Sequence, residues 1–385
     1  MAEPNAGPAS AARGNRIDEL ESIRGVAALL VVLYHIPNWN ALLYELPIIR
    51  NSYLMVNLFF VLSGFVICKA YANNIHTREN LLRFQFLRLG RLYPVHLVFL
   101  LVFLLLEIAK YLAYMHYGVK SSKTTPFVEN SITAFVQQLF LVQSIGPTGN
   151  ALSFNAPAWS ISVEFYTYLV FGLIVLHFGR WKTPIFAVLA LLACVVLATQ
   201  PRNGYIDVLQ CLGGFFIGCC TARLSERLTW KLDSSAVVLA LLGLVLFLQF
   251  KTFEQYDLLI YPLTAALVLS LVLSEDGAVK QVLRLPMLTW LGTISYSVYM
   301  SHSALLWLSN QVHRFVFHRS EIWFGGRLVP QLDFAEALLS YFVIITLLLT
   351  ISNFVYHRLE KPYREKSRKV VFKLPPVPTP IRPAK

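Results

Sequence analysis

Formal charge is what this sequence has least of. Only 14% of its 385 residues are Asp, Glu, Lys or Arg, where soluble domains carry about 25%. With 56% hydrophobic residues and a mean hydropathy of +0.57, the deficit excludes an ordinary soluble domain. Repeated apolar runs near twenty residues point to an integral membrane protein instead. Cysteine is scarce too. Cys68, Cys194, Cys211, Cys219 and Cys220 lie in or beside apolar runs without metal-ligand spacing. That excludes a disulfide framework and a cysteine metal site, and they read as buried small hydrophobes. No internal repeat is visible. The first apolar run ends in HIPNWN without a small-residue cleavage site, so it reads as a retained span, not a signal peptide.

What is present is a series of ten apolar runs. They cover residues 22–38, 53–71, 92–114, 159–178, 183–199, 205–222, 236–250, 257–274, 287–309 and 336–357. The expected fold is an all-α polytopic membrane bundle of about ten transmembrane helices. An eleventh run, SITAFVQQLFLVQSIG at 131–146, is short and interrupted by Gln137 and Gln138, so it reads as a partial or interfacial helix. With the N-terminus inside, 24 Lys and Arg fall on inner segments and 8 on outer loops, as the positive-inside rule requires. The net charge of +12 thus reflects cytoplasmic loops, and no nucleic-acid partner is expected. The expected organisation is a polar, disordered segment at 1–16, a membrane domain at 17–365 and a basic, Pro-rich tail at 366–385, with both termini cytoplasmic.

Ionisable residues inside such runs are rare and usually serve a cavity or a partner. The stretch SIRGVAALLVVLYH joins Arg24 to His35. Eleven residues carry a helix about 20° past three full turns, so both share a face about 16 Å apart along the axis. Arg24 falls at the inner edge and His35 in the outer half. Arg88 and Arg91, in FLRLGRLYPVH, lie three apart on one face. With a helix starting near Pro94, they predict a phosphate cradle at a helix N-terminus. Glu164, in NAPAWSISVEFYTY, falls at an outer-half depth like that of His35, and a His–carboxylate pair would orient a general base. His302 lies mid-span, as a core histidine or a supporting group. His96, close to the arginines, is a candidate for donor contacts. Glu107 and Lys110 are expected to pair, and Trp159 to mark the interface belt.

Taken in order, SIRGVAALLVVLYH, NLFFVLSGFVI, FLRLGRLYPVH, PAWSISVEFYTY, ISYSVYMSH and LEKPYR resemble the acyltransferase-3 family of bacterial integral-membrane O-acyltransferases. The likeness runs from the first span to the last. Two positions depart from the family pattern: Phe165 follows Glu164 where many members carry a second acid, and Asn57 stands where many have Asp. The resemblance implies a bacterial inner-membrane enzyme transferring an acyl group from acyl-CoA, most often acetyl-CoA, to a hydroxyl of a glycan or lipid-linked sugar. It implies His35 and Glu164 as catalytic residues and Arg24, Arg88 and Arg91 as donor-binding ones. Trp159, His302, Ser63 and Asn57 would be supporting residues, and no metal is required. General-base catalysis by His35 is expected over an acyl-His intermediate. Without an appended soluble domain, the chain is expected to finish the transfer alone or to hand the acyl group to a separate partner. The rival readings are a proton-coupled transporter using His35, Glu164 and His302 as a relay, and a scaffold or flippase component of a polysaccharide pathway. The sequence identifies neither the acceptor sugar, the acyl length nor the oligomeric state.

Overall fold

The fold begins with Asp18, Glu19 and Glu21 in one first helical turn, where acidic side chains offset the positive end of the helix dipole. In the computed structural model, which describes residues 17–118, 125–200 and 204–373, that turn opens α1 (Asp18–His35). Pro37 follows and cannot continue the helix. Single turns α2 (Ala41–Tyr44) and α3 (Pro47–Arg50) lead into α4 (Met55–Tyr71), and α5 covers Arg78–Tyr117. Next come the short α6 (Ile132–Leu139), α7 (Ala158–Phe178), α8 (Lys182–Thr199) and α9 (Ile206–Arg227). Then follow α10 (Ser235–Phe250), α11 (Ile260–Leu273), α12 (Ala278–Leu283) and α13 (Pro286–Phe315). A hairpin of β1 (Glu321–Phe324) and β2 (Arg327–Pro330) precedes α14 (Phe334–Val355), a π-helical turn at Tyr356–Glu360, and α15 (Lys361–Lys373).

Among the described residues, 78% are helical and 3% lie in strands, and a helix occupies each of the ten predicted ranges. Among the described residues, six helical stretches are long and apolar enough to cross a bilayer: Pro47–Tyr71, Arg78–Tyr117, Ala158–Thr199, Ile206–Arg227, Glu254–Leu273 and Phe334–Val371. Ala158–Thr199 contains two helices, α7 and α8, joined by a single 3-10 turn. The partial helix expected at 131–146 is the eight-residue α6. All five cysteines are free, three buried and two half-buried. The segment 1–16 lies outside the described residues. The expected border at 365 falls inside α15, which continues to Lys373.

Two expectations are corrected. The hairpin makes the molecule not purely helical. It exists because Gly325 and Gly326 take φ of +57° and +78°, the left-handed pair a two-residue hairpin turn demands. The other correction concerns α5. The apolar run starts near residue 92, but the helix starts at Arg78, where the Thr77 side chain accepts from the Asn80 amide at 3.2 Å. Its 40 residues span about 60 Å, and Pro94 sits in its interior. Arg88 and Arg91 are therefore mid-helix, with no helix N-terminus to share the binding of an anion.

Two glycine contacts draw helices together. A Cβ on Gly218 would lie 2.1 Å from the Val61 carbonyl oxygen, closing α9 on α4. A Cβ on Gly292 would lie 2.0 Å from the Glu21 carbonyl oxygen, and one on Gly25 would lie 2.6 Å from the Gly292 nitrogen. Thus α1 and α13 touch backbone to backbone near Arg24. The main core packs Phe84, Phe171, Phe186, Phe215 and Phe216, with ring centroids 5.3–6.0 Å apart.

Candidate active site

From the contact between Gly25 and Gly292, ten residues along α1 lead to His35 and ten along α13 lead to His302. The two imidazoles meet there, with ring centroids 4.9 Å apart. The helices therefore run parallel, and the glycines set a register that brings the histidines together about 15 Å farther along. His35 Nδ1 lies 2.8 Å from the Val31 carbonyl oxygen. A carbonyl only accepts, so Nδ1 carries the proton and Nε2 presents a lone pair. His302 repeats this one turn down α13: Nδ1 donates to the Tyr299 carbonyl at 2.7 Å. Its Nε2 is buried without a partner. The paired rings thus each commit Nδ1 to the backbone and leave Nε2 as the basic nitrogen, an arrangement that suits a substrate hydroxyl.

No hydrogen bond or ion pair joins His35 to Glu164 among the described residues. The carboxylate accepts instead from Tyr168 Oη at 2.6 Å. With that proton committed, Ser63 Oγ must donate to Tyr168 Oη across 2.9 Å. Glu164 and Tyr168 are also within electrostatic reach of Arg91, together with Glu21 and Glu360. Arg88 holds Tyr71 Oη at 3.3 Å and lies 6.0 Å from the Tyr168 ring centre. The predicted pairing fails because equal depth in two helices leaves their facing sides undetermined: Glu164 turns to the arginine side. A continuous His35–Glu164–His302 relay, as the transporter reading required, is therefore absent among the described residues.

The arginines border a cleft of about 560 Å³, where Arg24, Lys69, Arg91, Arg364 and Arg368 face two carboxylates, Glu21 and Glu360. Its size suits a small-molecule ligand. Nε of Arg24 and of Arg364 is buried without a hydrogen-bond partner, so donors remain for an anion. The π-helical turn aims Glu360 inward, where it accepts from Ser297 Oγ at 2.9 Å. Tyr296 lines the cleft and donates to the Leu92 carbonyl at 2.6 Å, beside Pro94. One turn on, the buried Tyr299 donates to the Pro157 carbonyl at 3.1 Å. Tyr296, Tyr299 and His302 therefore mark successive turns of α13 from the cleft to the histidine pair.

The remaining candidates are supports. Trp159 is half-buried and packs edge-on to Phe60 at 5.9 Å. Asn57 is buried with Oδ1 unpaired. His96 binds the Gln138 carbonyl at 2.9 Å, fastening α6 to α5. Glu107 pairs with Lys110 as expected and also accepts from the Phe127 amide at 2.8 Å. Tyr168, Tyr296, Glu360, Arg364 and Arg368 were not singled out from sequence. Four sat in quoted motifs: Tyr168 in PAWSISVEFYTY, Tyr296 in ISYSVYMSH, and Glu360 and Arg364 in LEKPYR.

Residues 17–357 match the acyltransferase domain family. Among curated relatives are YrhL of Bacillus subtilis, 24% identical over 384 residues, covering 90% of this chain and 55% of that protein. The peptidoglycan O-acetyltransferase OatA of Listeria monocytogenes is 22% identical over 330 residues, covering 77% of this chain and 50% of that protein. The acyltransferase MdmB of Streptomyces mycarofaciens is 30% identical over 167 residues, 41% of this chain and 39% of that protein. The chain spans about half the length of the first two, and no solved structure is a significant match. On a match that covers nearly its whole length, the chain belongs to the acyltransferase-3 family of membrane acyltransferases.

Proposed function

We propose that this chain is an O-acyltransferase that moves an acyl group, acetyl in the simplest case, from acyl-CoA to a hydroxyl of a glycan or glycolipid. The observation that carries the reading is the His35 tautomer: Nδ1 is tied to Val31 while Nε2 stays basic beside His302. The name of the Listeria relative, a peptidoglycan O-acetyltransferase, favours an acetyl group and a glycan acceptor. Unpaired guanidinium nitrogens in the cleft fit the phosphates of CoA, because Arg presents fork-like donors to such groups. Arg24, Arg91, Arg364 and Arg368 hold them in this reading, with Arg88 steadying Tyr71 and Tyr168 behind. The acyl-bearing arm then extends along α13 toward the histidines.

His35 Nε2 takes the proton of the acceptor hydroxyl as its oxygen attacks the thioester carbonyl. The carbon–sulfur bond breaks, and the proton passes to the leaving thiolate. His302 steadies the imidazolium. Glu164 orders Tyr168 and balances the arginines, and is not a direct partner of His35. We place the cleft on the cytoplasmic face of the bacterial inner membrane, with ten spans and both termini inside. Basic residues dominate that side in this topology.

Purified protein in lipid nanodiscs, given acetyl-CoA and a hydroxyl acceptor, tests the reaction. His35→Ala should lower kcat by about 10³-fold, within the range general acid–base groups supply, while CoA affinity is retained. Wild-type rates in that variant would exclude the mechanism.

A further inference from the structure

The His35 end of the molecule carries two arginines that the proposed reaction does not use. Arg50 closes the short helix α3, and its Nη2 donates to the Tyr34 carbonyl at 2.9 Å, one residue from His35. Its guanidinium lies 3.6 Å from the centre of the Tyr44 ring and 5.0 Å from that of Tyr34, while its buried Nε has no partner. Arg327 stands just after the Gly325–Gly326 turn of the hairpin. The hairpin segment is stapled over the end of α1: the Leu332 amide donates to the Trp39 carbonyl at 2.8 Å, and Gln331 Nε2 donates to the Asn38 carbonyl at 2.9 Å. Phe324 meets Tyr44 edge-on at 5.3 Å, so the two arginines flank one aromatic wall. Both lie within electrostatic reach of the His35 ring.

Neither arginine forms an ion pair among the described residues. The nearby acids are committed elsewhere: Asp257 to Lys251 at 2.6 Å, Glu321 to Arg314 at 3.2 Å, and Glu336 to Arg319. Glu45 and Glu254 face solvent. Two uncompensated guanidiniums beside a general base make sense if a substrate supplies the missing charge. Resting on the acyltransferase reading, we propose that the acceptor is an anionic sugar whose carboxylate or phosphate is held by Arg50 and Arg327, with the acylated hydroxyl turned to His35.

Calorimetric titration of the full chain in nanodiscs, without acyl-CoA, tests this with three probes: a methyl hexuronoside, its uronamide and a methyl hexoside phosphate. The acid or the phosphate should bind at least tenfold more tightly than the uncharged amide, and the better probe identifies the anion. Arg327→Gln, at the exposed first residue of β2, should remove most of that preference. So should Arg50→Gln, with Arg50→Lys restoring part of it and showing that the fold survives. Equal or absent binding of all three probes would overturn the proposal, as would a preference that survives in the double Gln variant. Loss of acetyl-CoA turnover with the preference intact would count against the catalytic reading alone.

Discussion

Val31 contributes only a carbonyl, yet that oxygen decides which nitrogen of His35 can act as a base. His302 is matched to it by the same device on a parallel helix, with its bare nitrogen buried. An unpaired buried acceptor is costly, about 1–3 kcal/mol, so its retention beside His35 points to use. His302→Asn keeps a polar group but removes the second ring nitrogen. Its kcat should fall about 10- to 100-fold with the KM for acyl-CoA unchanged, and the acid limb of the kcat–pH profile should move. A variant with an unshifted profile and an ordinary kcat would reduce His302 to packing. At this scale the sequence was half legible. His35 and His302 stand out as imidazoles in apolar runs, and depth follows from 1.5 Å per residue. Depth does not give azimuth, so Glu164 was matched to the wrong neighbour. Tyr168 was passed over because a tyrosine in an apolar helix carries no signal until its hydroxyl partner is known.

The decisive elements are α1 and α13, whose meeting at Gly25 and Gly292 leaves no space for a methyl group. Gly292→Ala must push the Glu21 backbone away, and overpacking of this kind costs about 1–3 kcal/mol. The variant should melt at a lower temperature and lose at least tenfold in kcat, although it is about 15 Å from either imidazole. A lower melting point with full activity would show that this contact does not set the catalytic register. Helix positions were readable from hydropathy for the same reason that their ends were not. Burial writes the apolar run, whereas α5 continues through residues 78–91, where charged and apolar side chains alternate, because Thr77 caps it and tertiary contacts carry it. The hairpin at 321–330 offered two adjacent glycines and little else, and only its packing over Trp39 and Leu332 makes it stable.

Across the described molecule, basic groups gather at both ends of α1: the cleft beside Arg24, and Arg50 with Arg327 near the histidine pair. In the proposed reaction the cleft holds a polyanion, so binding should weaken with salt. The KM for acetyl-CoA should rise with ionic strength, and Arg364→Gln should raise it about tenfold while flattening the salt dependence, the loss expected when one charged hydrogen bond of about 1.5–3 kcal/mol is removed. An unchanged KM at all salt concentrations would remove the cleft from donor binding. The family was legible from six short motifs in order. The cleft was legible only in part, because Lys69, Glu360, Arg364 and Arg368 come from segments far apart in sequence that the bundle folds together.

The equal spacing on α1 and α13 has a consequence for tolerance to change. Ten residues separate glycine from histidine on each helix, so the alignment belongs to the two segments jointly. One residue inserted in either segment would swing its imidazole about 100° around the axis and strand the other. The same insertion made in both would preserve the pairing while moving it about 1.5 Å farther from the cleft. The stretch between cleft and histidines therefore behaves as a two-sided caliper, able to change its opening only when both arms change together.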